Sequence, residues 1–246
     1  MKSWIATLLV TIAVSVPAMA QKPNVNPEWG TAAYAPNTIF TPDRDVGTPF
    51  KKRVLVVFHG FRSAVPNGTY KRVRKALRDT HTVIGVNYDY FDVEATIELL
   101  DALVAGDLAG HEISTFGTSL GGYWANWFGQ RIGAHSIAMI NPTLRPGDHL
   151  KQYIGQTVES ERRALTFPVS KEDIQRYDAV PSEAHKPIPT MVIVSSDDEL
   201  VDPQPTLDWF EDKPEVEIVI YQERKHTLNL KKHPARDVLK AFFQAQ

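Results

Sequence analysis

The sequence predicts an α/β fold built on a mostly parallel sheet with helices on both faces. Short apolar runs recur along the chain and are separated by helix-length segments, so strands alternate with helices as right-handed crossovers require. Three of these runs, Arg53 to Phe58 (RVLVVF), Ser136 to Ile140 (SIAMI) and Thr190 to Ser195 (TMVIVS), are continuous rather than alternating. That is the pattern of strands buried on both faces of a parallel sheet. The chain has 246 residues, 43% hydrophobic and 23% charged, enough for one globular domain with a substantial core.

The first twenty residues carry Lys2, an apolar run from Trp4 to Val16, and Ala18-Met19-Ala20. This reads as a secretory signal cleaved after Ala20, because the run is shorter than the roughly 20 apolar residues of a membrane span. Losing Lys2, the one charged residue of that leader, takes the net charge from −2 to −3. A mildly acidic chain of this kind gives no electrostatic case for nucleic acid or anionic lipid. The absence of cysteine leaves no disulfide, no thiol nucleophile and no lipid attachment site. The expectation is a periplasmic or secreted bacterial protein with no stable membrane insertion.

Residues 21–50 are rich in Pro, Gly, Asn and Thr and read as an extended arm, with a short edge strand around Thr38 to Phe40. The domain proper is expected over 51–246. After RVLVVF come a helix from Asn67 to Leu77, a strand from Thr82 to Tyr88 and a helix from Val93 to Val104. The basic residues of the first helix (Lys71, Arg72, Arg74, Lys75) read as a solvated face. A strand from His111 to Phe116 leads into a helix from Leu120 to Arg131, and SIAMI follows. The rhythm then breaks over 143–187, read as a lid-like insertion with short helical pieces at Glu159 to Leu165 and Lys171 to Tyr177. It resumes with TMVIVS, a helix near Gln204 to Phe210, the strand Val216 to Tyr221, and a closing helix from Pro234 to Phe243.

Between the strand at 111–116 and its helix lies Gly117-Thr118-Ser119-Leu120-Gly121. A Gly-x-Ser-x-Gly sequence at a strand-to-helix turn lifts a strained serine above the sheet, with glycines where side chains would clash. The bland reading is a serine that caps the helix. A serine hydroxyl needs a base, and the base needs an orienting group. In the chain order Ser, acid, His, His226 on the loop leaving the last strand is the candidate base. His233, beside Pro234, reads as a helix cap. The acid is expected after TMVIVS, where Asp198 is preferred, Asp197 stands next, and Asp202 reads as the cap of the following helix. An oxyanion needs preorganised N–H donors, expected from Leu120 and from Phe61 in the loop His59-Gly60-Phe61-Arg62-Ser63. His59 reads as a structural residue of that loop, and Tyr123, Trp124 and Trp127 as core. There is no dinucleotide fingerprint, phosphate loop or His-Glu-x-x-His, so no cofactor or metal is expected.

These residues resemble the YqiA-like small esterases of the α/β-hydrolase superfamily. The resemblance rests on His59-Gly60-Phe61 with Ser63, Gly117 to Tyr123, and Ile140-Asn141-Pro142-Thr143-Leu144-Arg145-Pro146, and continues through His149 to Gly155, Asp198 to Asp202 and Lys225-His226. It covers residues 52–246 and implies an esterase acting on short acyl esters, with Ser119 as nucleophile, Asp198 as acid and His226 as base. The leader, the arm and the charged Glu223-Arg224-Lys225 depart from the family pattern. The expected partner is a small-molecule acyl ester. Thioester hydrolysis or acyl transfer would use the same residues, and a noncatalytic binding protein on a hydrolase fold is the reading from another class.

Overall fold

The computed structural model describes residues 34–41 and 49–246, so the expected leader and most of the expected arm lie outside the described residues. Seven strands form one sheet in the order β1-β3-β2-β4-β5-β8-β9. They are β1 (Thr38–Phe40), β2 (Arg53–Phe58), β3 (His81–Asn87), β4 (Glu112–Thr118), β5 (Ser136–Ile140), β8 (Thr190–Ser195) and β9 (Val216–Tyr221). Every pair is parallel except β1 with β3. This is the α/β-hydrolase arrangement expected from the sequence, with the short edge strand at Thr38–Phe40.

Because side chains alternate across a strand, β2 divides between two cores. Val54, Val56 and Phe58 pack with Leu100 and Leu103 of α2 (Val93–Ala105) and Trp124 and Phe128 of α3 (Leu120–Ile132). Leu55 and Val57 pack with Tyr70, Val73 and Leu77 of α1 (Gly68–Leu77) and Leu239 and Phe243 of α7 (Ala235–Ala245). Helices therefore cover both faces. The inner strands are buried almost throughout, which is why they read as unbroken apolar runs. Trp124 and Phe128 are fully buried, and truncating either to Ala should cost about 3–5 kcal/mol. Trp127 is buried too and donates its Nε1–H to Pro181 O at 2.8 Å, so both tryptophans serve the core as expected.

Between β5 and β8 the chain forms α4 (Pro146–Leu150), a separate antiparallel pair of β6 (Thr157–Ser160) and β7 (Leu165–Pro168), and α5 (Lys171–Asp178). The helical piece expected at Glu159 to Leu165 is therefore corrected to a hairpin with a single 3₁₀ turn, Glu161–Arg163, at its tip. Val158 and Ser160 point inward while Thr157 and Glu159 point out, a period of two. Ala164 at φ 50° ends any helical continuation. α5 is a helix as expected, closed at its N-terminus by a capping box between Ser170 and Asp173. The last helices, α6 (Gln204–Phe210) and α7, stand where the sequence puts them.

Candidate active site

Ser119 links β4 to α3 with φ 54° and ψ −125°. A side chain held at positive φ costs on the order of 1–3 kcal/mol. Three backbone bonds hold it there: Ser119 N donates to Ile140 O at 3.0 Å, and Ser119 O accepts from Gly122 N at 2.8 Å and Thr143 N at 3.1 Å. Both glycines are forced by space. A Cβ on Gly117 would lie 1.9 Å from Gly121 O, and one on Gly121 would lie 2.4 Å from His59 O. Gly122 is required as well, since its Cβ would stand 2.6 Å from that of Pro142. The capping alternative does not hold, because the Ser119 side chain makes no cap hydrogen bond to α3.

The loop after β8 and the loop after β9 meet beside this turn. Asp198 Oδ2 lies 2.7 Å from His226 Nδ1, and the side chains are 2% and 10% exposed. Asp198 Oδ1 accepts from the N–H groups of Leu200 and Val201 at 2.8 and 3.0 Å. Burial works against the carboxylate, but His226 and those two N–H donors more than offset it and hold the Asp198 pKa below its ordinary value. Asp197 instead accepts from Ser196 Oγ at 2.8 Å. Asp202 accepts from Gln204 N, the first residue of α6, but the N-cap position is Pro203 and has no side-chain cap, so Asp202 stands one residue short of the cap expected of it. His233 is engaged at both nitrogens, by Glu223 and by Ala235 N. Of the candidate acids and bases, the structure thus brings Asp198 and His226 together, and His226 lines the same cavity as Ser119. Among the described residues His226 Nε2 has no hydrogen-bond partner.

Two residues that the sequence reading gave no part hold the His226 loop. Asn141, at φ 44° just past β5, donates from Nδ2 to Lys225 O (3.1 Å) and His226 O (2.7 Å), and its Oδ1 accepts from Ser195 N at 2.8 Å. Ser195 Oγ donates to Lys225 O at 2.7 Å. Glu199 adds a carboxylate oxygen 2.8 Å from His226 N. The available signal was an Asn directly after a buried strand, a residue type that tolerates the left-handed region.

Leu120 is the first residue of α3, so its N–H has no acceptor within the helix. Phe61 lies in the loop after β2, and that loop lies close against Ser119, since a Cβ on Gly60 would be 3.3 Å from the Cβ of Ser119. His59 is buried and stacks on Tyr88 with ring centroids 4.3 Å apart, matching its reading as a structural residue.

Ser119 lines two neighbouring spaces, and a third adjoins one of them. A cleft of about 520 Å³ runs past Asn67, Arg72 and Asn229. A recess of about 370 Å³ is walled by Phe61, Tyr153 and His226. His149 and Leu200 line both that recess and a groove of about 790 Å³ floored by Tyr123, Trp127, Ile174 and Trp209. All fall near the 300–1,000 Å³ common for ligand sites. Burial first, and then the neighbouring His226, lower the pKa of His149 below its ordinary value, while Asp198 works the other way. Among the described residues no group of three or more His, Asp or Glu could hold a metal ion, and no helix is long and apolar enough to cross a membrane.

Comparison with known proteins agrees with this architecture. The family described as "Uncharacterised protein family (UPF0227)" matches residues 54–244. Among solved structures, Est1E from Butyrivibrio proteoclasticus is similar at a TM-score of 0.61 and 12% identity, covering 84% of this chain and 92% of its own. A chain described under two metagenome-derived lipolytic enzymes, LipS and LipT, gives 0.55 and 16%, covering 80% of this chain and 94% of its own. XC6422 from Xanthomonas campestris, described as an α/β serine hydrolase without a lid, gives 0.52 and 16%, covering 84% and 87%. At these identities the likeness is one of fold.

Proposed function

The chain belongs to the UPF0227 family, the YqiA-like group its motifs resemble, and we propose that it is a serine ester hydrolase working through Ser119, His226 and Asp198. The observation that carries this reading is the buried Asp198–His226 pair opening, at its free nitrogen, onto the cavity of a strained, uncapped serine.

In this reading an ester carbonyl enters the recess beside Ser119. Asp198 keeps the proton of neutral His226 on Nδ1, leaving the Nε2 lone pair to take the proton of Ser119 Oγ as it attacks the carbonyl carbon. The carbonyl oxygen becomes an oxyanion and is met by the N–H groups of Phe61 and Leu120, each worth about a hundred- to a thousandfold in rate. Imidazolium, stabilised by Asp198, returns its proton to the departing alcohol, and an acyl ester remains on Ser119. Water repeats the sequence through His226 and releases the acid. No cofactor takes part in these steps. Short acyl groups fit the recess, and the groove past His149 and Leu200 leaves room for larger ones. The leader supports a periplasmic or secreted site of action, and an N-terminus at Gln21 in the exported protein would check it.

A series of p-nitrophenyl esters from acetyl to octanoyl, run on wild type and Ser119→Ala, tests the proposal. Wild type should turn over the series, and Ser119→Ala should lose up to about a millionfold in kcat. Full turnover by the variant would overturn the mechanism. Fluorophosphonate labelling separates the binding-protein alternative, which leaves Ser119 unmodified in the folded chain.

A further inference from the structure

Arg163 sits at the tip of the β6–β7 hairpin, 4% exposed, and among the described residues its acceptors, His59 Nε2 and Tyr88 O, are both neutral. Its Nη2 lies 3.0 Å from His59 Nε2 and 2.7 Å from Tyr88 O, and its guanidinium lies 4.5 Å from the Tyr90 ring centroid. Among the described residues its Nε has no partner. A guanidinium buried without a carboxylate is an expensive arrangement for stability alone. What it touches gives it another use.

We propose that Arg163 is a positioning residue for the oxyanion donor on Phe61, acting through His59. The proposal rests on the serine hydrolase reading above. Guanidinium can only donate, so His59 Nε2 must be the bare nitrogen and the ring proton must sit on Nδ1. His59 Nδ1 lies 2.8 Å from Gly60 O and therefore donates to it. Burial, and next the Arg163 charge, hold the His59 pKa well below its ordinary value, so the ring stays neutral and keeps this tautomer. Tyr88 stacks on one face of the ring at an interplanar angle of 8°, Tyr90 meets it edge-on, and Tyr88 Oη donates to His59 O at 2.6 Å.

Gly60 O also accepts from Ser63 N at 3.2 Å. In a planar trans peptide the C=O and the following N–H point in opposite directions. Tying Gly60 C=O back toward His59 therefore turns the Phe61 N–H the other way, to the cavity that Gly60, Phe61 and Ser119 line together. With Arg163 gone, the His59 proton is free to move to Nε2, and the Nδ1 lone pair would then repel Gly60 O. Other ties hold the loop in place: Arg62 Nε donates to Glu159 O at 2.8 Å, and Tyr90 Oη donates to Ser63 O. Loss of Arg163 should thus misorient one peptide without releasing the loop.

The experiment compares wild type, Arg163→Met and Arg163→Ala on p-nitrophenyl butyrate, with kcat referred to the fraction of Ser119 that a fluorophosphonate labels to completion. Arg163→Met should lose about a hundredfold in kcat, the usual scale for one donor, with KM and melting temperature nearly unchanged. Millimolar guanidinium should restore part of kcat to Arg163→Ala and nothing to wild type. Wild-type kcat in folded Arg163→Met, or an effect confined to KM, would overturn the proposal. Histidine ¹⁵N NMR of the wild-type protein decides the matter even if both variants fail to fold: a His59 protonated on Nε2 sinks it, and one protonated on Nδ1 supports it. An inactive wild type, or an active Ser119→Ala, would instead count against the hydrolase reading itself.

Discussion

The segment after β9 carries two histidines, each in a histidine–carboxylate pair of nearly equal length. His226 meets Asp198 at 2.7 Å, and His233 meets Glu223 at 2.6 Å. The difference lies in what surrounds each pair. His233 spends both ring nitrogens on structure, one on Glu223 and the other as acceptor for Ala235 N at the start of α7. His226 spends one on Asp198; the other has no partner among the described residues, and His226 lines the cavity of Ser119. The carboxylates differ as well. Asp198 is fixed by two backbone donors and is 2% exposed, whereas Glu223 is 23% exposed. A short His–carboxylate bond therefore does not by itself mark a base. What sets His226 apart, and what the proposed mechanism uses, is an unpartnered ring nitrogen together with a locked acid beside Ser119.

The sharpest way to break that contrast is to neutralise both acids. Asp198→Asn should lose about ten-thousandfold in kcat, the scale seen when the acid of such a triad becomes an amide and the wrong tautomer results. Glu223→Gln should stay within about twofold, the range of surface substitutions. Losses of similar size from both would erase the distinction. Stability carries a matching signature. The folded pKa of Asp198 lies below its unfolded value of about 3.9. Its contribution is therefore fully present above about pH 4 and is lost as pH falls through the lower folded value. The stability gap between wild type and Asp198→Asn, measured by urea unfolding, should be full at pH 7 and close on acidification below about pH 4. A gap that persists at low pH would mean that Asp198 contributes through packing and not through its charge.

A smaller effect is expected one layer further out, where Asn141 ties β5 and β8 to the carbonyls of Lys225 and His226. Asn141→Gly tolerates the same positive φ while removing those bonds. Leaving Ser195 N–H without its acceptor should cost about 1–3 kcal/mol. A His226 loop displaced by about an ångström should lower kcat by up to about a hundredfold, with KM little changed. Loss of stability with full kcat per folded molecule would reduce Asn141 to a structural tie and leave Asp198 alone to orient the base.

How far these features could be read from the sequence follows how local their causes are. Strands β2, β5 and β8 occupy the residues expected of them, because burial on both faces leaves a continuous apolar run. The turn at Ser119 was legible because its two glycines stand at a fixed spacing around the serine: a Cβ on Gly117 would strike Gly121 O within the turn itself, although the clash that requires Gly121 comes from His59 O beyond β2. The β6–β7 hairpin was not: four charged or polar residues around Glu161 imitate a helix, and only Ala164 at positive φ breaks it. Asn141 offered only the faint signal of an Asn directly after a buried strand, and Arg163 offered none. Asn141 acts where three strand ends converge, and Arg163 meets His59 across 104 residues of chain. Asp198 and Asp197 are neighbours in sequence, and what separates them is the loop turning Leu200 N and Val201 N onto one carboxylate.

The smallest expected effect tests the quiet member of the comparison. His233→Ala removes the acceptor for Ala235 N, the bond to Glu223, and an edge contact with Tyr221 at 4.5 Å. Losing a helix N-terminal acceptor typically costs about 1 kcal/mol, which in a domain of this size lowers the melting temperature by about 2–4 °C. Turnover should stay within about twofold, since neither ring nitrogen of His233 is available to take a proton. His233→Asn, which keeps a short acceptor at the same place, should recover most of the lost stability. A large fall in kcat from His233→Ala in folded protein would mean that His233 and Glu223 support the His226 loop from behind, and the two pairs would then have to be treated as one network.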